Sequence, residues 1–215
     1  MYDKRFDLQD QQVLKEVIVS RRDVRGNRFL PTDVPEEHIR EILLAGIHAP
    51  SVGFSQPWEF LVVDDCKTKQ KVKQCFLDAN EHAQRKFAAD SRSSAYSRLK
   101  LEGITEAPVG IAVFYRDDQQ LVLGQTSMTE AGPYSVVCAV QNMWLMARAL
   151  NIGMGWVSIL DPVQVQQELN APKDLKLVAW LCLGFVDYFV DKPELEILDW
   201  EKPKKLEQVV RWNSW

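Results

Sequence analysis

The sequence predicts a mixed α/β protein of the α+β kind, helices layered on a small sheet. Three observations carry this. Apolar residues recur at helical spacing in two segments near the start. Short β-rich apolar runs punctuate the middle and the end of the chain. One long segment is apolar nearly all round, as a helix buried on most sides must be.

The first helix is expected over residues 11–21, where Val13, Leu14, Val17 and Ile18 form one stripe. Pro35, Glu36 and Glu37 open a second, with Ile39, Ile42, Leu43 and Ile47 on its apolar face. Residues 22–34 connect them; turn-forming yet rich in positive charge, this loop is a candidate site. Residues 51–58 form a second loop, and 59–63 a short strand ending at Asp64 and Asp65. Residues 67–100 are polar with scattered apolar positions and suit one or two surface helices, followed by a strand over 109–115. The segment 134–150 is the buried helix, stopped near Asn151 and Gly153. Strands over 156–160 and 177–186, with a short helix over 162–169 between them, complete four or five strands and five or more helices. No repeat or linker divides the chain, so residues 1–190 form one domain and 191–215 a C-terminal extension. Trp200, Trp212 and Trp215 fall in that extension, where something must cover them.

The chain has 215 residues, with 26 Lys and Arg against 30 Asp and Glu, a formal charge of −4. Without a basic field it is a poor ligand for nucleic acid. The first ten residues are charged and the densest apolar run, 177–186, is half a membrane span, so a cytoplasmic, unanchored protein is expected. Cys66, Cys75, Cys138 and Cys182 are widely spaced and expected as free buried thiols. His38, His48 and His82 sit in separate segments, which leaves no metal signature and no Ser-His-Asp set.

Chemistry concentrates in three places. Between Arg21 and Arg28 stand four arginines and one acid, Asp23, in an otherwise acidic protein. Planar guanidinium forks suit a phosphate monoester; a solvated helix end is the plainer explanation. Cations on both sides should pull the Asp23 carboxyl down and keep it ionised for proton transfer, and an internal ion pair fixing the arginines would use the same residues. The loop from Ala49 to Trp58 is stiffened by Pro50 and Pro57, and its small residues let backbone N–H groups approach a ligand. Gly153, Met154 and Gly155 lead into a strand; alone such a pair only ends a helix.

Arg21-Arg22-x-x-Arg25, then Ala49-Pro50-Ser51 with Gln56-Pro57-Trp58, then Gly153-x-Gly155, resemble the FMN-dependent nitroreductase superfamily in order and spacing. Within it, Arg21-Arg22-Asp23-Val24-Arg25, Leu99 to Ile104, Val137 to Asn142 and Gly155-Trp156-Val157-Ser158-Ile159 resemble the 5,6-dimethylbenzimidazole synthase branch. The resemblance spans most of the chain. It implies a mostly antiparallel central sheet flanked by helices, in an intertwined homodimer with FMN at the interface. It also implies consumption of reduced FMN and dioxygen, without a metal, to form the lower ligand of vitamin B12, with a separate flavin reductase as supplier. The alternatives are an NAD(P)H-dependent nitro, quinone or flavin reductase and a non-catalytic flavin-binding protein.

By position in the motifs, Arg21, Arg22 and Arg25 would grip the FMN phosphate, with Asp23, Val24 and Gly155 beside the cofactor. Ser51 and Gly53 would reach the flavin from the partner subunit, Arg92 and Leu101 would belong to a lid, and the extension would wrap the partner. Asp23 would take protons and Ser158 would position oxygen, although a strand hydroxyl bonded to backbone is the commoner role for such a serine. Two departures stand out: Phe54 and Ser55 replace a polar Asn frequent in the superfamily, and Arg211 is a poor match for its late arginine.

Overall fold

The computed structural model describes residues 3–117 and 120–215. In chain order the elements are α1 (Leu8–Ser20), α2 (Glu36–Ile47), β1 (Trp58–Val63), α3 (Cys66–Phe87), α4 (Ser93–Tyr96), β2 (Val109–Arg116), α5 (Ala131–Ala149), β3 (Gly153–Val157), α6 (Pro162–Glu168), β4 (Leu175–Gly184), α7 (Glu194–Ile197) and α8 (Leu206–Val209). Single 3-10 turns lie at Gly26–Arg28 and Val52–Phe54.

The sheet has strand order β1-β2-β4-β3 and every pairing is antiparallel. The central pair is buried on both faces, which is why β2 and β4 are apolar in consecutive positions rather than alternating ones. Strand pleating sorts the side chains into two cores. Ile111, Val113, Leu181 and Leu183 join α2 and α5 through Ile42, Val140 and Met143 on one face. Ala112, Phe114, Trp180 and Cys182 join α3 and α6 through Val72, Phe76 and Val165 on the other. The α+β reading, with the antiparallel sheet between helices, therefore stands.

Local chemistry places the boundaries. Asp7 caps α1 by accepting from the Asp10 N–H, Asp65 caps α3 through the Thr68 N–H, and Asp161 caps α6 with Pro162 as its first residue. The late strand lies over Gly153–Val157, three residues earlier than its composition suggests, because Asn151 takes the left-handed conformation (φ 57°) that ends α5 and turns the chain into the sheet.

Two expectations need correction. The stripe on α1 lies beside α5 but is not buried by it: no residue of α1 is buried, and Val13, Leu14 and Ile18 are about half exposed. Only two thiols are buried, Cys75 and Cys182, while Cys66 and Cys138 are exposed because each lies on the outward face of its helix. Among the described residues no helix is long and apolar enough to cross a membrane, and no group of His, Cys, Asp and Glu is placed to hold a metal.

Candidate functional site

The arginine segment is held by α5 and β3. Arg148 Nε donates to the Ser20 carbonyl and Trp144 Nε1 to the Arg22 carbonyl, so one face of α5 orients the chain as it leaves α1. Asp23 then forms a one-residue parallel bridge with Met154, with the Val24 N–H donating to the Met154 carbonyl at 3.1 Å. The next rung is made by a side chain: the Trp156 N–H donates to Asp23 Oδ1 at 3.0 Å. Arg25 completes the ring, donating from NH1 to the Trp156 carbonyl at 3.0 Å and pairing through NH2 with Asp23 Oδ2. One residue of β3 thus fixes both an acid and a base through its backbone.

The expectation that its cations would hold Asp23 low is overturned. Burial pushes the carboxyl above the usual carboxylate range, and Arg25, the Trp156 N–H and Arg21 oppose it without cancelling it. Desolvation wins because the carboxylate is seated against β3 rather than displayed on a helix end.

The four arginines divide their work. Arg21 lies over the Trp144 ring, 4.7 Å from its centroid, and its guanidinium N–H groups have no hydrogen-bond partner among the described residues. Arg22 donates to the carbonyls of Val19, Arg21, Val190 and Asp191, which leaves a single N–H for any ligand. Arg25 keeps three. Arg28 is turned away onto Tyr188, 4.3 Å from the ring, and this partner raises it.

Arg21, Arg22, Asp23 and Arg25 form one side of a cleft of about 170 Å3. Leu99, Lys100 and Leu101 form another, and Pro193, Glu194, Leu195 and Leu198, around α7, a third. The 99–101 wall is anchored from behind: Gly26 N–H donates to the Glu102 carbonyl, and the Glu102 carboxylate pairs with Lys73 on α3 and accepts from the Ile104 N–H.

The other expected residues are placed differently. Val24 faces the core and is 4% exposed. Gly155 lies under the arginine segment, with the Val24 carbonyl occupying the space of its missing Cβ. Ser158 is exposed just past the end of β3 and does not line the cleft. Arg92 is paired with Asp90 and lies 4.8 Å from the Trp200 ring, in a nest with Phe87 and Tyr96 outside the cleft. Trp200 is therefore covered by its own chain, whereas Trp212 and Trp215 are fully displayed.

Ser51 and Gly53 flank the entry to β1, at the opposite edge of the sheet from β3. Gly53 is left-handed (φ 55°), and a Cβ there would stand 2.6 Å from the Leu123 carbonyl oxygen. Three strand spacings, about 14 Å, separate the two edges, so one chain does not bring this loop to Asp23. Glu194, Leu195 and Leu198 were not legible as site residues, because nothing in the sequence links them to a segment near residue 23.

Residues 18–185 match the model of the nitroreductase family. The chain belongs to the nitroreductase family. A 5,6-dimethylbenzimidazole synthase of Rhodospirillum rubrum is 43% identical over 91% of this chain and 92% of its own. One of Rhodobacter capsulatus is 38% identical over 92% of this chain and 95% of its own. This places the chain on the 5,6-dimethylbenzimidazole synthase branch of the nitroreductase family, as an enzyme. Among solved structures, iodotyrosine deiodinase bound to FMN and 3-iodo-L-tyrosine superposes with a TM-score of 0.76 at 23% identity, over 94% of this chain and all of that one. A BluB-like flavoprotein from Clostridium difficile 630 superposes with a TM-score of 0.69 at 19% identity, over 98% of this chain and all of that one. These two carry the nitroreductase fold.

Proposed function

We propose that this nitroreductase-family enzyme fragments reduced FMN with dioxygen to 5,6-dimethylbenzimidazole and erythrose 4-phosphate, supplying the lower ligand of vitamin B12. The observation that carries this reading is Asp23: a carboxyl raised by burial, fixed by a backbone N–H and an arginine, at the edge of an arginine-lined cleft. Such a group holds its proton to higher pH than an ordinary carboxylate does, which suits it to proton transfer.

The cleft suits the ligand at both ends. Arg21 and Arg25 retain uncommitted donors for a phosphate, while Leu99, Leu101, Leu195 and Leu198 offer an apolar wall to a flat ring. Its volume is well below the ~300–1,000 Å3 that encloses a whole ligand of drug size, as expected of a site that a second subunit completes. When both are bound, dioxygen would supply the oxidising power and reduced FMN the electrons and the ring that is fragmented. The chain supplies the phosphate grip, the dry wall and the proton at Asp23, with Ser158 and the lid at 92–101 acting once the site is whole.

A homodimer fits the surface. The apolar groove between α1, α2 and α5, about 740 Å3, runs past Val13, Leu14 and Met146, and Phe54 projects 80% exposed from the loop that holds Gly53. A second copy on this face would bring Ser51 and Gly53 to the Asp23 cleft of its neighbour. The extension beyond residue 201, with Leu206, Val209, Trp212 and Trp215 exposed, is suited to wrap that neighbour. A separate flavin reductase would supply the reduced FMN.

The test mixes purified protein with chemically reduced FMN, admits air and measures 5,6-dimethylbenzimidazole by mass. Product in proportion to enzyme, with FMN lost in step and the yield abolished in Asp23→Asn, is the expected result. Intact, merely reoxidised FMN would overturn the reading in favour of an NAD(P)H-dependent reductase.

A further inference from the structure

The stretch 190–200 passes along the cleft as a strap fastened at both ends. At its start Arg22 donates to the carbonyls of Val190 and Asp191, and Arg148 on α5 lies 4.0 Å from the centroid of the preceding Phe189 ring. At its end Trp200 is set in an aromatic nest. Its ring stands edge-on to Phe87, 5.8 Å between centroids, and tilted against Tyr96 at 6.3 Å, with the Arg92 guanidinium 4.8 Å away. Between the two anchors the strap has little to hold it: no residue of α7 is buried, and Leu195 and Leu198 are nearly half exposed.

Trp200 is tied to one wall of the cleft by its backbone and to another by its ring. Its N–H donates to the Leu195 carbonyl at 2.8 Å, where left-handed Asp199 (φ 56°) ends α7. The indole and the turn that carries Leu195 and Leu198 are thus one piece. On the other side Tyr96, 6% exposed, stacks on Phe87 at 4.7 Å and donates from its hydroxyl to Asn80 Oδ1 of α3 at 2.8 Å. The Tyr96 carbonyl accepts from the Leu99 N–H at 3.1 Å, and Leu99 begins the second wall. Aromatic pairs and a cation over an indole are directional contacts, so the nest fixes the angle between the walls as well as their distance.

We infer that Trp200 is a positioning residue that joins the two apolar walls into one lid, so that the 99–101 and 193–198 segments open and close together. Trp200 itself does not line the cleft. The joint belongs to the chain without flavin; its catalytic consequence rests on the function proposed above. A lid that closes as one body keeps water from reduced FMN until the ring is fragmented. With the walls uncoupled, dioxygen takes two electrons and two protons from reduced FMN and leaves as hydrogen peroxide, and the flavin ring stays whole.

Hydrogen exchange read by mass spectrometry on full-length, flavin-free protein tests the joint, since amides of both walls are hydrogen-bonded, at Tyr96 and Leu99 and at Ile197 and Leu198. Trp200→Leu and Phe87→Leu take the nest apart from opposite sides. Trp200→Leu is expected to speed exchange over 96–101, and Phe87→Leu to speed it over 193–198, each by about 3- to 10-fold, the loss of one aromatic contact. Exchange in β2 and β4 should stay as in the unaltered chain, and Trp200→Phe, which keeps a ring in the nest, should restore both walls. In the product assay Trp200→Leu should turn 5,6-dimethylbenzimidazole into oxidised FMN and hydrogen peroxide, with FMN still bound because Arg21 and Arg25 are untouched, and Trp200→Phe should reverse this. Faster exchange confined to the substituted wall in both variants overturns the joint, and so does faster exchange of β2 and β4 in step with the walls. Coupled exchange with an unchanged product yield overturns the catalytic consequence. Absence of product from the unaltered enzyme overturns the function alone, because exchange still reads the joint.

Discussion

The Val24 carbonyl oxygen fills the space that a Cβ on Gly155 would need. Only glycine lets the arginine segment lie this close on β3, and that approach is what brings the Asp23 carboxylate to the Trp156 N–H. Gly155→Ala should therefore destabilise the fold by about 1–3 kcal/mol, the usual cost of overpacking, and also release Asp23. Chemical denaturation measures the first effect, and loss of the raised Asp23 midpoint the second. Unchanged stability would show that the segment can lift without cost.

Arg25 and Arg22 should fail differently. Arg25→Ala removes a guanidinium with open donors and should weaken FMN binding by about 10- to 100-fold, as loss of a hydrogen bond to a charged group does. Arg22→Ala removes four bonds to backbone carbonyls, two of them on the strap. Its main effect should be faster proteolysis within residues 190–200. Flavin titration and limited proteolysis of the two variants separate grip from anchor.

Asp23 also gives stability a pH dependence of known sign. Its carboxyl is raised in the folded state, so the folded chain holds the proton more tightly than the unfolded one. The associated stabilisation is complete below the ordinary carboxylate range and is lost as pH climbs through the raised value. Wild type measured against Asp23→Asn should thus fare best in acid and lose ground above about pH 4. A difference in urea midpoints that stays flat with pH would contradict the raised carboxyl.

Lys73 and Glu102 form a pair whose side chains are only 21% and 11% exposed, behind the 99–101 wall. Lys73→Met leaves the carboxylate without its cation and should cost about 3–5 kcal/mol, the price of an orphaned buried charge. Adding Glu102→Gln should recover much of that, which a double-mutant cycle measures. An additive result would mean that the two residues act separately.

The thiols should divide by burial. Burial pushes Cys182 up to about 12, so it stays a thiol and reacts only on unfolding, as buried Cys75 also should. Cys66 is exposed and should label at once. Cys138 lies one turn before Asn142 on α5, at the end of the apolar groove, and should be labelled in a monomer and protected in a dimer. Mass analysis after a short pulse of a thiol reagent, with sizing of the same sample, checks this.

Local sequence was enough to place the main elements and to gather much of the site's cast. The helical stripes and the long apolar strands are local properties, so the main helices and the strands were legible within a few residues, whereas the caps at Asp7, Asp65 and Asp161 and the short helices α7 and α8 were not read. The arginines and Asp23 were legible because they are contiguous, as were Gly155 and Leu101 through the family's motifs. What those residues do follows from the folded packing. It set Arg22 to fasten a strap and left Arg21 open, seated Gly155 under Val24, and placed the Ser51 loop across the sheet from Asp23. It brought Glu194 beside an acid 171 positions earlier and reversed the expected shift of Asp23. The reason is physical: charges adjacent in sequence are visible there, whereas the water removed by folding depends on which distant segments close over a group.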